Sequence, residues 1–171
     1  MKPVKRLIIT LLILFGIAGG FILYLAQPYM NGTPAVLKTV PVDPFDMFRG
    51  QYLILRYEIT TLTALPNITE GATVYVQLKE NEEGIFEATG TTQKRPTTQP
   101  YIKGTVTSVY NGKMTLEYGI EQYFFEQNAE FLTDHIDVEI LISEQGQARI
   151  RQLLRYGKPL EITYKNVSIT S

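Results

Sequence analysis

The hydrophobic pattern changes period once along the chain. From Leu7 to Ala26 it is unbroken, reading LIITLLILFGIAGGFILYLA, with no charge and only Thr10 and the Tyr24 hydroxyl polar. A helix rising ~1.5 Å per residue needs about 20 such residues to cross ~30 Å of hydrocarbon, so this run predicts a transmembrane helix over residues 7–26. Beyond it the period becomes two. Leu53, Leu55, Tyr57 and Ile59 alternate with Tyr52, Ile54, Arg56 and Glu58, and Val74, Val76 and Leu78 alternate with Thr73, Tyr75 and Gln77. The same alternation recurs at Met114, Leu116, Tyr118 and Ile120, at Val138, Ile140 and Ile142, at Ala148, Ile150, Gln152 and Leu154, and at Leu160, Ile162 and Tyr164. Period two marks strands with one buried face. The expectation is a mainly β protein, an N-terminal transmembrane helix followed by one antiparallel β-barrel or β-sandwich domain with one or two short helical turns. Its divisions are a cytoplasmic tail at 1–6, the anchor at 7–26, a tether at 27–35 and an extracytoplasmic β domain at 36–171.

Turn residues support the strand reading. Asn111-Gly112 between alternating runs is a strong hairpin signal. Glu144-Gln145-Gly146-Gln147 and Tyr156-Gly157-Lys158-Pro159 are expected turns among the last strands. The stretch Gly90 to Pro100 offers no anchor for a core and reads as an exposed loop. Short helical turns are expected at Asn128 to His135 and just after Val42.

Charge orients the anchor. Lys2, Lys5 and Arg6 precede the apolar run, and no basic residue follows it until Lys38. The positive-inside rule then puts the N-terminus in the cytoplasm and the β domain outside the cell membrane. Gly16 to Gly20 contains a GxxxG spacing suited to helix pairing, although glycine is common in membrane helices generally. The rival is a signal peptide cut after the small-x-small run Gly16-Ile17-Ala18, which leaves an apolar tail, GGFILYLA, and is the less favourable product.

Composition excludes several classes. There is no cysteine, hence no disulfide, thiol nucleophile or cysteine-ligated metal. Setting aside Lys2, Lys5 and Arg6, the 16 basic residues fall to 13 against 17 acidic ones, a net −4 without a basic run, which argues against a nucleic-acid partner. No phosphate-binding glycine loop, dinucleotide fingerprint or Gly-x-Ser-x-Gly elbow occurs, and no cofactor is implied. His135 is the single histidine; with Glu130, Asp134, Asp137 and Glu139 nearby it reads as a solvated acidic loop rather than a metal site.

The most distinctive stretch is PVDPFDMFRGQYLILRYEI, residues 41–59. Asp43 suits the cap of a helical turn, Pro44 its first position and Asp46 its third, while Gly50 lets the chain turn into a strand. The functional alternative uses Asp43 and Asp46 as cation ligands, or Arg49 and Arg56 as anion ligands; two carboxylates are too few for a dedicated calcium loop. The stretch resembles the signature of the GDYXXLXY family of membrane-anchored bacterial proteins, from Gly50 through Tyr52 and Leu55 to Tyr57, with Val42-Asp43-Pro44, Asp46 and Arg49 also fitting. Tyr118 to Phe124 forms a second matching block and the Val138 to Leu154 hairpin, turning at Gly146, a third. Two departures stand out: the family's Asp is Gln51, and its Pro-Glu-Gly run is replaced by Glu126-Gln127-Asn128. The resemblance implies an extracytoplasmic β domain on a single anchor and, because such proteins are often encoded beside one, a multi-pass membrane protein as partner. It transfers no activity.

Within the second block Glu121 sits among Ile120, Tyr123, Phe124 and Phe125. Such surroundings raise a carboxyl's pKa unless a cation pairs with it, so Glu121 is either an acid–base group or the ion-pair partner of Arg49 or Arg56. The pair is preferred, as a tie between the two blocks. The binding or motif candidates are Asp43, Asp46, Arg49, Gly50, Tyr52, Arg56, Tyr57, Glu121 and Tyr123. The functional expectation is a membrane-anchored binding or assembly domain of unknown ligand. A cell-envelope hydrolase using Glu121 and neighbouring carboxylates is the alternative.

Overall fold

The structure is a computed structural model, and it describes residues 3–40, 52–98, 100–125, 129–130 and 134–164. One long helix, α1 (Pro3–Asn31), leads into strands β1 (Thr33–Lys38) and β2 (Tyr52–Ile54), a single 3-10 turn (Glu58–Thr60), then β3 (Thr61–Thr63), β4 (Thr73–Glu80), β5 (Phe86–Thr92) and β6 (Tyr101–Tyr110). After these come β7 (Lys113–Glu117), β8 (Gln122–Phe124), β9 (Ala129–Glu130), β10 (Ile136–Ile142), β11 (Ala148–Arg155), β12 (Lys158–Pro159) and β13 (Thr163–Tyr164).

Helix α1 is apolar on all sides, and its described side chains, Leu7, Phe15 and Phe21 among them, are exposed rather than packed on the domain. It is long and apolar enough to cross a membrane from Pro3 to Tyr24. The helix continues through the segment expected as a tether to Asn31, and only Gly32 separates it from β1.

Two antiparallel sheets carry the domain. One runs β3-β7-β6-β4-β5 and the other β1-β10-β11-β12. A parallel bridge between Val36 and Ile85 joins them along one seam. On the other side the Lys103 N–H donates to the Gly146 carbonyl at 2.8 Å. The sheets therefore curl into a half-closed barrel around one core. Alternate residues face inward: Ile136, Val138, Ile140 and Ile142 from β10, Val74, Val76 and Leu78 from β4, Met114 and Leu116 from β7, Ala35 and Leu37 from β1. Each large aliphatic side chain so buried stabilises the fold by roughly 1.5–3 kcal/mol relative to exposure.

The turn at Ser143 to Gln147 folds over the other face of β6. Gly146, at φ +81, lies so close to the Tyr101 ring that a Cβ there would meet it at 2.7 Å. The Tyr101 hydroxyl donates to the Glu144 carbonyl at 2.6 Å and accepts from Arg95 Nε at 2.6 Å. Tyr101 is buried although it faces away from the core.

The mainly β, antiparallel expectation holds, and several boundaries move. Leu55, Tyr57 and Ile59 are buried on one side as the alternation implied, but β2 ends at Ile54 and the chain turns at Glu58–Thr60. Strand β7 stops at Glu117, because Gly119 takes φ +80. Gly90 to Thr92, expected in a loop, completes β5; a threonine-rich edge strand with little to bury carries a faint hydrophobic signal. Of the helical turn expected at 128–135, residues 129–130 form β9 and pair with β13, while residues 126–128 and 131–133 lie outside the described residues. The turn expected after Val42 also lies outside them.

Candidate functional site

The two distinctive blocks lie side by side. β2 pairs with β8 in the register Tyr52↔Phe124, Leu53↔Tyr123 and Ile54↔Gln122. The Leu55 N–H then donates to the Glu121 carbonyl at 2.7 Å. Two buried tyrosines lock the contact reciprocally. The Tyr57 hydroxyl donates to the Ile120 carbonyl at 2.6 Å, and the Tyr118 hydroxyl donates to the Ile59 carbonyl at 2.6 Å. The Tyr118 ring lies against Gly104, where a Cβ would meet it at 3.0 Å. Burial, and secondarily the Glu121 charge, pushes both phenols far above their usual range, so they stay protonated and act as fixed donors.

Glu121 does not take the partner expected of Arg56. Its Oε1 accepts from the Tyr118 N–H at 2.5 Å and its Oε2 from the Gly119 N–H at 2.9 Å. Both oxygens thus close the turn that ends β7, where Gly119 supplies the left-handed residue. Arg56 is exposed and needs no protein counter-charge. Arg49, the other expected partner, lies outside the described residues with Asp43, Asp46 and Gly50. Tyr52 enters through its backbone pairing, and Tyr123 is partly buried against the core.

Beside this junction opens a cleft of about 790 Å³. Its floor is the face of β6 and β7 turned away from the core, bearing Lys103, Thr105 and Glu117. One wall is Tyr118 to Ile120 with Gln122 to Phe124, the other Gln147 to Ile150 at the start of β11. Among the described residues, Tyr123 is the one side chain expected from the sequence that lines it; Glu121 does not. The sequence carries no signal for Lys103 or Glu117, each one more polar residue on a solvent face, and marks Gln147 only as part of a turn.

Two of the acidic residues near His135, Asp134 and Glu139, are engaged by protein groups. Both Asp134 oxygens lie 2.9 Å from Arg155 Nη2, which holds the carboxyl down at about 2. Tyr156 donates toward Asp134 Oδ2, stacks on His135 with centroids 5.0 Å apart, and lies under the Arg155 guanidinium. Glu139 accepts from Arg151 and from Gln152. Among the described residues no group of three or more His, Cys, Asp or Glu could hold a metal ion.

Compared with known proteins, the chain matches the family described as GDYXXLXY protein over residues 14–153. No curated protein and no solved structure matches it. The match spans the end of α1, both paired blocks and the β10–β11 hairpin, and the chain therefore belongs to the GDYXXLXY protein family.

Proposed function

We propose that the protein is a membrane-anchored extracytoplasmic binding or assembly domain, with the cleft beside the paired blocks as its binding site. The observation that carries this reading is how the distinctive residues are used. Tyr57, Tyr118 and Glu121 all point their polar atoms at backbone groups of their own chain, which leaves an open cleft of mixed chemistry rather than a catalytic constellation. The apolar helix supplies the anchor, and Lys2, Lys5 and Arg6 before it favour a cytoplasmic N-terminus. The family resemblance adds a multi-pass membrane protein as the neighbour beside which the domain works.

The hydrolase reading is weaker. It needs a carboxyl facing substrate at a defined separation from a second one. Glu121 faces two backbone N–H groups instead and stands outside the cleft lining.

A photo-crosslinking residue placed at Gln122 or at Gln147 in the full-length protein tests the binding reading in intact cells. Adducts are expected from both cleft positions and not from Glu82 in the β4–β5 turn. Equal adducts at all three positions, or none at the cleft, contradict it.

A further inference from the structure

The cleft lies close to the end of the anchor. Thr33, the second residue after α1, sits opposite Ile142, and Ile142 sits opposite Ala148 in the next strand. Strands are ~4.8 Å apart, so the β11 wall of the cleft begins roughly 10 Å from the point where the chain leaves the helix. With only Gly32 between helix and strand, the domain cannot move far from that point. A cleft so placed on an anchored domain meets lipid headgroups before it meets any soluble ligand.

The floor carries a charge of each sign, and Arg149 on the β11 wall adds a second cation, which has an interaction partner of its own. Thr105 pairs directly with Glu117, and Lys103 stands two residues earlier on the same face, diagonal to Glu117. Diagonal neighbours in an antiparallel pair are about 7–8 Å apart. The ion pairs found among the described residues involve neither Lys103 nor Glu117. An ammonium and a carboxylate that share a cleft without joining are complementary to one ligand bearing both opposite charges a short distance apart. Thr105, Gln122 and Gln147 add neutral hydrogen-bonding groups around them.

We infer that the cleft binds the zwitterionic headgroup of a phosphoethanolamine lipid, with the phosphate at Lys103 and the ammonium at Glu117. A phosphate and an ammonium joined by a two-carbon bridge match that pair of charges. An anionic headgroup leaves Glu117 unanswered, and a trimethylated headgroup offers it no N–H donor. This rests on the membrane-anchored reading above.

Full-length protein in nanodiscs of phosphatidylethanolamine, phosphatidylglycerol or phosphatidylcholine tests it by hydrogen exchange. Slowing of exchange at Gln122–Phe124 and Gln147–Ile150 is expected in the ethanolamine discs, at least several-fold beyond that in the other two. Lys103→Gln and Glu117→Gln should each abolish the difference, while the lipid comparison on the unaltered chain requires no variant to fold. Equal exchange in all three lipids overturns the inference. So does the slowing arising from a second copy of this chain or a co-purified polypeptide, either of which the mass of the loaded disc reveals. Exchange along α1 separates the two readings: a protected helix with an indifferent cleft defeats the headgroup alone, whereas an unprotected helix defeats the anchor as well.

Discussion

Tyr57 and Tyr118 each hydrogen-bond the backbone of the other's segment, Tyr57 reaching Ile120 and Tyr118 reaching Ile59, both at 2.6 Å. The spacing of the signature follows from this crossing. Leu55 and Tyr57 face the core together, and Tyr57 spans to the second block while the Leu55 N–H donates to the Glu121 carbonyl.

Removing either hydroxyl strands a buried carbonyl. Tyr57→Phe and Tyr118→Phe are each expected to lower unfolding stability by about 1–3 kcal/mol. Because both clamp one junction, the double variant should depart from additivity by about 0.5 kcal/mol or more. Denaturant unfolding of the four proteins checks both statements, and strictly additive, sub-0.5 kcal/mol effects (on the order of surface substitutions) would show that the clasp is incidental.

Glu121 and Arg56 should respond differently if the carboxylate is a turn cap rather than half of an ion pair. Glu121→Gln sets an amide N–H₂ against one of two backbone N–H donors, and a loss of about 1 kcal/mol is expected, discounted for partial exposure. Arg56→Gln should stay within about 0.5 kcal/mol of the parent. Equal losses in the two single variants, with strong coupling in the double, would restore the salt bridge.

Gly146 and Gly112 both have positive φ but differ in surroundings. A Cβ at Gly146 runs into the Tyr101 ring and the Lys103 backbone nitrogen, whereas one at Gly112 meets nothing within 4 Å. Gly112→Ala should cost only the left-handed conformation, about 1–2 kcal/mol. Gly146→Ala should cost clearly more in the same unfolding experiment, since the hairpin must lift from β6 as well.

Asp134 gives a pH expectation. Its folded carboxyl titrates at about 2, below the ordinary 3.8, chiefly because Arg155 donates to it. A folded value below the unfolded one stabilises above the unfolded value and is lost as pH falls through the folded one, so the contribution fades between roughly pH 4 and 2. Carboxyl chemical shifts should place the Asp134 midpoint near the lower figure and return it toward 3.8 in Arg155→Gln. A midpoint unmoved by that substitution would remove Arg155 as the cause.

Much of the fold was legible because buried strands announce themselves. Val138, Ile140 and Ile142 alternate, and Asn111-Gly112 takes the paired positive φ values a two-residue hairpin requires. Strand β5 was not legible, since Thr89, Gly90, Thr91 and Thr92 have almost no apolar surface to show a period. The contact of the two blocks was anticipated, and part of its chemistry differs: the Glu121 oxygens take backbone donors two and three residues back rather than Arg56, while Arg49, the other expected cation, lies outside the described residues. The cleft was hidden for a different reason. Its floor and walls come from β6, β7, β8 and β11, and the register Thr105↔Glu117 is offset from the Asn111-Gly112 turn by an irregularity between Val106 and Ser108.

The central claim, an anchored domain with its cleft open outside the cell, is tested most directly by a single introduced thiol. The chain has no cysteine, so Gln147→Cys creates a unique reporter at the cleft wall. A membrane-impermeant maleimide applied to intact spheroplasts should label it as fully as after lysis. Labelling that appears only after lysis would contradict the account.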